Sequence, residues 1–314
     1  MSRRTTRPPL PLADDTIATA LHAVGYHTIY VGKYMNNDLP GPYPGWDVWE
    51  TAHDAKGGND KYWIDGQYAT DRFRDIAISS LAQAPKDQPL FLFIGFLAPH
   101  APWVPAPRHA DVDVGPTINA DDRDRKQTLL AVDEVVVALA ESMGPRWDDA
   151  CVFVLTDNGL LLGEHGTTGK SIWWDGATRV PLRERCAGLG SGTDPRLAGT
   201  IDIAPTILRA AGATMHHPVD GLPLQDAWDR EGIPIESWDI VEEHTRRLPF
   251  VGIKGKDWLY LRPEGQSPRL YRDPEEAEDV IGSLSESEQV AYAKWLAVLW
   301  DCAGEACQEA AAGG

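Results

Sequence analysis

The sequence predicts an α/β fold, a mainly parallel central sheet flanked by helices, followed by a small C-terminal α+β subdomain. Three observations carry this expectation. Apolar or β-branched runs alternate with segments of helical periodicity through the first two thirds of the chain, as parallel strands joined by helical crossovers do. Two of those runs, Leu90–Leu97 and Cys151–Leu155, are apolar on both faces, the pattern of a strand covered on both sides. Beyond about Gly221 the runs become short and are broken by Gly, Pro and charge, which reads as an antiparallel ladder. The expected division is therefore 1–220 and 221–314.

The elements follow in order. Asp14 and Asp15 offer N-caps to a short helix whose stripe is Ile17, Leu21 and Val24, ending at Gly25. Thr28–Val31 is a β-branched strand that stops at Gly32-Lys33. Tyr68, Phe73, Ile76 and Leu81 keep helical spacing, and the apolar run from Leu90 ends at Pro99-His100. Leu129, Val132, Val136, Leu139 and Met143 place one face on a helix over Arg125–Met143. The run Cys151–Leu155 terminates at Thr156-Asp157-Asn158-Gly159, and Asp202 caps a helix through Ile203, Pro205 and Leu208. In the subdomain, Trp238–Val241 and Trp258–Leu261 read as strands, and a last helix spans Ser285–Trp300 with Val290, Leu296 and Leu299 near one side.

At 314 residues and 43% hydrophobic content the chain can bury one large core. Its formal net charge of -18 argues against a nucleic-acid partner, which needs clustered Lys and Arg. No apolar run approaches the roughly 20 residues that span a bilayer, so no membrane partner is expected. Met1–Arg7 has no apolar h-region behind it, and the expected location of the chain as given is cytoplasmic. Cys151, Cys186, Cys302 and Cys307 are too scattered for a disulfide scaffold or a paired zinc site, so idle thiols are expected, although Cys302 and Cys307 could pair.

The strand ends hold the chemistry. Ligands of open α/β sheets sit outside the carboxyl ends of the strands, and three strands here end in Lys33, in His100, and in Asp157 with Asn158. A carboxylate beside an amide oxygen suits a hard cation such as calcium or magnesium. A Lys and a His nearby can hold a tetrahedral oxyanion and give a proton to a leaving oxygen. Each piece has a plainer reading: Asp-Asn-Gly as a turn, Lys33 as a solvated strand end, His100 as a structural loop histidine. Their shared placement favours metal-assisted cleavage of an anionic ester.

In five stretches the chain resembles the sulfatase family of the alkaline phosphatase superfamily. They are Gly25-Tyr26-His27-Thr28 leading to Gly32-Lys33-Tyr34-Met35-Asn36; Pro44-Gly45-Trp46; Ala98-Pro99-His100-Ala101-Pro102; Thr156-Asp157-Asn158-Gly159 with Leu162-Gly163-Glu164-His165-Gly166 and Gly169-Lys170; and Ile201-Asp202-Ile203-Ala204-Pro205-Thr206. The Gly-Lys-Tyr-x-Asn form followed by Pro-Gly-Trp is most similar to the glucosamine-6-sulfatase branch. The resemblance implies hydrolysis of sulfate esters on sugars, glycans or aryl groups, with Asp157 and Asn158 as metal ligands, usually for calcium. It also implies that Lys33, His100 and Lys170 contact the sulfate and assist the leaving group. His165 is expected to order the loop that delivers Lys170, and Asp175 with Arg179 to form a salt-bridged helix start. Family members carry, ahead of the equivalent of Thr16, a strand ending in two metal-binding Asp and a Cys motif converted to formylglycine. Neither is found in this sequence, so an exposed apolar sheet edge and weak metal binding are expected. A non-catalytic protein of the same fold and a phosphoester hydrolase of the same superfamily are the alternatives.

Overall fold

The computed structural model describes residues 14–34, 41–51, 61–186, 189–237, 240–242, 245–273 and 275–312, leaving aside the side chains of 240–242 and 245–247. The chain divides into two compact units, 1–150 with 211–216, and 151–210 with 217–314. The partition expected from the sequence, at about residue 220, is a different one.

Unit 1 opens with α1 (Ile17–Ala23), whose N-cap is Thr16 and not either aspartate. The Thr16 hydroxyl accepts from the Thr19 amide, and the Thr19 hydroxyl returns the bond to the Thr16 backbone, satisfying two orphan donors at once. Asp15 is occupied elsewhere, accepting from the His216 amide at 3.0 Å. Strand β1 (His27–Gly32) then lies between β2 (Val48–Thr51) and β5 (Leu90–Gly95), parallel to both. A short ladder, β3 (Trp63–Ile64) with β4 (Gln67–Tyr68), leads into α2 (Ala69–Gln83). The unit's longest helix, α3 (Ala120–Met143), starts five residues before the expected Arg125 because Asn119 accepts from the Asp122 amide.

Alternation sorts the sheet's two faces. Ile29 and Val31 point into a core with Ala69, Phe73 and Ala77 of α2 and Val135 and Leu139 of α3. On the opposite face Tyr30 stacks on Trp49 and Phe93, its register neighbours on β2 and β5. The buried stripe of α3 includes Thr128, Ala131, Val135 and Leu139; of the residues expected there, Leu139 alone is fully buried and Leu129 is exposed. Ala131 packs against Tyr62, Tyr68, Ala98 and Ala106, where a larger side chain would overpack the cluster. The expected full burial of Leu90–Leu97 is not met. Among the described residues β5 pairs only with β1, and Phe93 is 47% exposed.

Unit 2 begins with β6 (Val152–Leu155), followed by the hairpin β7 (Leu161–Leu162) and β8 (Thr168–Gly169), α4 (Asp175–Thr178), β9 (Leu182–Arg185) and α5 (Ile203–Ala211). β6 is paired antiparallel to β9, so the parallel ladder expected of it is absent among the described residues. Cys151 and Cys186 close the end of this ladder in a disulfide, and Cys302 pairs with Cys307. The expectation of idle thiols is thereby corrected: strand pairing brings residues 35 positions apart face to face, which cysteine spacing does not reveal.

Asp202 is also more than a helix cap. Its buried carboxylate accepts from the Gly199 and Leu222 amides and from both terminal nitrogens of Arg230 at 2.7 and 2.8 Å, while Arg230 lies over the Trp228 ring. The antiparallel sheet runs β10 (Ile233–Ser237), β13 (Phe250–Lys254), β14 (Leu259–Pro263), β15 (Arg269–Tyr271), with β11 (Ile240–Glu242) and β12 (Thr245–Arg247) as a separate ladder. Trp238 and Asp239 lie outside the described residues. Helix α6 (Glu286–Asp301), capped by Ser285, packs Trp295, Leu296 and Leu299 on that sheet, with Val290 exposed, and α7 (Glu305–Ala311), unforeseen in the sequence, is tied to the end of α6 by the second disulfide.

Candidate active site

In unit 1 the ends of two parallel strands are held together by glycines. Gly32 faces Gly95 in register, and a Cβ on Gly32 would fall 2.2 Å from the Gly95 carbonyl oxygen, one on Gly95 2.1 Å from that of Lys33. Gly32 also has φ +101, a region open to glycine. The Lys33 amide therefore bonds the Gly95 carbonyl at 2.7 Å, and Lys33 and His100 both follow the carboxyl ends of neighbouring strands.

Buried tyrosines fix both positions. Tyr30 donates its hydroxyl to the Lys33 carbonyl, and Tyr62 donates to that of His100. Burial raises both phenol pKa values well above the ordinary range, so each hydroxyl stays protonated and remains a donor. His100 itself is exposed, between cis Ala98-Pro99 and cis Ala101-Pro102. Its Nδ1 lies 2.8 Å from the Lys61 ammonium and 2.8 Å from the Ala101 carbonyl oxygen. Tyr62 and Lys61 escaped the sequence reading, since nothing in their spacing ties them to a residue 38 or 39 positions away.

In unit 2 exposed Asp157 and half-buried Asn158 leave the end of β6, and the Gly159 amide bonds the Ala177 carbonyl of α4 at 3.0 Å. Lys170 follows the β7–β8 hairpin. His165, in the turn of that hairpin at φ 55, lays its ring flat on Trp174, with centroids 4.0 Å apart. Trp174 in turn meets Tyr271 edge-on. The stack ties the hairpin to the segment that follows Lys170.

Asp175 opens α4 and pairs with Arg179 at 2.8 Å and with Lys254 at 2.9 Å, and Lys254 also pairs with Glu276. Burial alone would raise the Asp175 pKa, but bonds from Arg179 and Lys254 outweigh it and hold the carboxyl below its usual range.

Asp157 and Asn158 are hard oxygen donors, right in kind for calcium or magnesium and short of the roughly six to eight oxygens calcium takes. No group of three or more His, Cys, Asp or Glu able to hold a metal occurs among the described residues. Asn158 spends its amide nitrogen on the Gly159 carbonyl, so its oxygen is the atom a cation would use. The pair fits one side of a cation site. A groove of about 650 Å³ in unit 1 is lined by residues such as His27, Glu50, Arg72 and Asp75 and includes none of the candidate residues.

The family profile described as sulfatase matches residues 1–213. This chain belongs to the sulfatase family. Among curated sulfatases, the N-acetylglucosamine-6-O-sulfatase of Bacteroides thetaiotaomicron is 22% identical, over 85% of this chain and 68% of its own length. The extracellular sulfatase SULF-1 homolog of Drosophila melanogaster is 29% identical, over 66% of this chain and 24% of its own. The chain thus spans from a quarter to about two thirds of the length of these relatives.

Two solved structures share the fold. One, determined in complex with its substrate D-glucosamine-2-N,6-O-disulfate, has a TM-score of 0.71 at 20% identity, covering 90% of this chain and 81% of that one. The other, the phosphonate monoester hydrolase of Agrobacterium radiobacter, has a TM-score of 0.71 at 19% identity, covering 91% and 80%.

Proposed function

We propose that the chain supplies the anion-holding part of a hydrolase that removes sulfate esters from sugars, with 6-O-sulfated glucosamine as the first substrate class to test. One observation carries the reading. Lys33 and His100 are anchored at the carboxyl ends of neighbouring parallel strands, where such a sheet offers its ligand site, in a chain of the sulfatase family. The glucosamine sulfatase among its relatives supports the sugar.

In this reading the ammonium group of Lys33 neutralises the ester's charge, more strongly as S–O cleavage moves negative charge to the leaving oxygen; Lys170 is a further sulfate contact on the strength of the family resemblance alone. His100 donates a hydrogen bond to that oxygen. Asp157 and Asn158 contribute two oxygens to a calcium site, with magnesium as the alternative; bound there, the cation adds a Lewis acid that polarises the ester. All four cysteines are paired, which leaves this chain without a thiol from which a formylglycine nucleophile could be made, and no turnover by the chain alone is expected.

Phosphoester hydrolysis is the second reading, favoured by the shared fold with the phosphonate monoester hydrolase. The two disulfides favour an oxidising compartment over the cytoplasmic default. No helix among the described residues is long and apolar enough to cross a membrane.

Thermal-shift titration with D-glucosamine 6-sulfate, D-glucosamine 6-phosphate and unmodified D-glucosamine tests the proposal. The sulfate ester is expected to stabilise the chain most, and calcium alone to act only at about 1 mM or above. Equal shifts with the sulfated and unmodified sugars would contradict the proposal; preference for the phosphate would move the chain to the second reading.

A further inference from the structure

Two contacts compete for one nitrogen of His100. Nδ1 is 2.8 Å from both the Lys61 Nζ and the Ala101 carbonyl oxygen, and they demand opposite tautomers. A lysine ammonium has only donors, so it bonds Nδ1 only when that nitrogen is bare; the carbonyl has only lone pairs, so it bonds Nδ1 only when that nitrogen carries hydrogen. The ammonium contact is charge-assisted, and such bonds are about twice as strong as neutral ones. A hydrogen on Nδ1 would also set donor against donor.

We propose that Lys61 is a positioning residue that holds His100 in the tautomer whose single proton sits on Nε2. The proton balance is simple. Lys61 keeps its three hydrogens and shares one with Nδ1, and the neutral ring's only N–H is left at Nε2. That choice matters because the oxygens of a sulfate ester are acceptors. The Nε2–H tautomer offers such an ester a donor, whereas the other tautomer would set a lone pair against it. Tyr62 supports the arrangement from the backbone side by fixing the His100 carbonyl. The consequence for the ester rests on the reading of His100 as a sulfate contact; the tautomer itself does not.

The test uses the full chain with 15N-labelled histidine at about pH 8, above the ordinary imidazole range, the His100 signals being assigned by their loss in His100→Asn. Nδ1 is expected to show the signature of a bare ring nitrogen and Nε2 that of a protonated one. Lys61→Met is expected to exchange the two signatures, as the ring turns to the Ala101 carbonyl, and Lys61→Arg, which keeps a cationic donor, to restore the original pattern. A protonated Nδ1 in the unaltered chain, or a pattern indifferent to Lys61→Met, would overturn the proposal. Titration with inorganic sulfate separates the underlying reading. About tenfold weaker binding in Lys61→Met, at an unchanged melting temperature, supports both the tautomer and its purpose. Exchanged signatures with unchanged sulfate affinity support the tautomer and reject His100 as the sulfate contact.

Discussion

The two units hold their candidate residues by different means. In unit 1, Lys33 and His100 are steadied by tyrosine hydroxyls, glycine contacts and a stack of aromatic rings on one sheet face, and the unit contains no cysteine. In unit 2, two disulfides and a buried ion pair brace the scaffold from which Asp157, Asn158 and Lys170 project. Unit 2 is therefore closed by bonds that are costly to break singly. Among the described residues β5 of unit 1 is paired on one side only, with Phe93 47% exposed, the kind of edge that recruits another strand.

The sharpest way to break the contrast is Asp202→Ala. It leaves Arg230 buried and charged without its partner, and is expected to cost about 3–5 kcal/mol, read as a lowered midpoint in a denaturant melt. Converting Cys151 and Cys186 to Ser comes next, at about 2–4 kcal/mol, with the reductant sensitivity of the melt lost in part. In unit 1 the anchor that acts on the His100 backbone is a single hydroxyl. Tyr62→Phe removes the donor to the His100 carbonyl and is expected to cost about 0.5–1.5 kcal/mol.

The smallest effect is at Glu134. The hydrogen bond from Arg108, aided by His109, holds its carboxyl below the usual range. A depressed carboxyl stabilises the fold above its unfolded value, about 4.3, and that contribution fades as pH falls through the lower folded value. Because Glu134 is 42% exposed, screening limits the gain to about 1 kcal/mol or less. Glu134→Gln should melt lower than the unaltered chain at pH 7, with the gap closing towards pH 3.

What was legible in the sequence followed from period and punctuation. Thr28–Val31 ahead of Gly32, and Leu90–Gly95, announced their strands through β-branched and apolar runs. Lys33, His100, Asp157 and Asn158 could be picked out because they terminate such runs. Long-range geometry stayed hidden. The antiparallel pairing of β6 with β9, and with it the Cys151–Cys186 bond, depends on Arg183 and Arg185, charged residues that mask a strand. Asp202 looked like a cap because its partner Arg230 is 28 residues away. The α3 stripe differs from the one that large side chains suggest because its buried face includes Thr128 and Ala131, the latter packed against Tyr62 and Tyr68.

The proposal that the chain holds an anionic sulfate ester through Lys33 and His100 is tested most directly by calorimetric titration with D-glucosamine 6-sulfate at low salt, beside Lys33→Met and His100→Asn. The account predicts measurable binding by the unaltered chain, a loss of about tenfold or more in each variant, and unchanged melting temperatures. Binding that ignores both substitutions, or that is equally strong for unsulfated D-glucosamine, would contradict it.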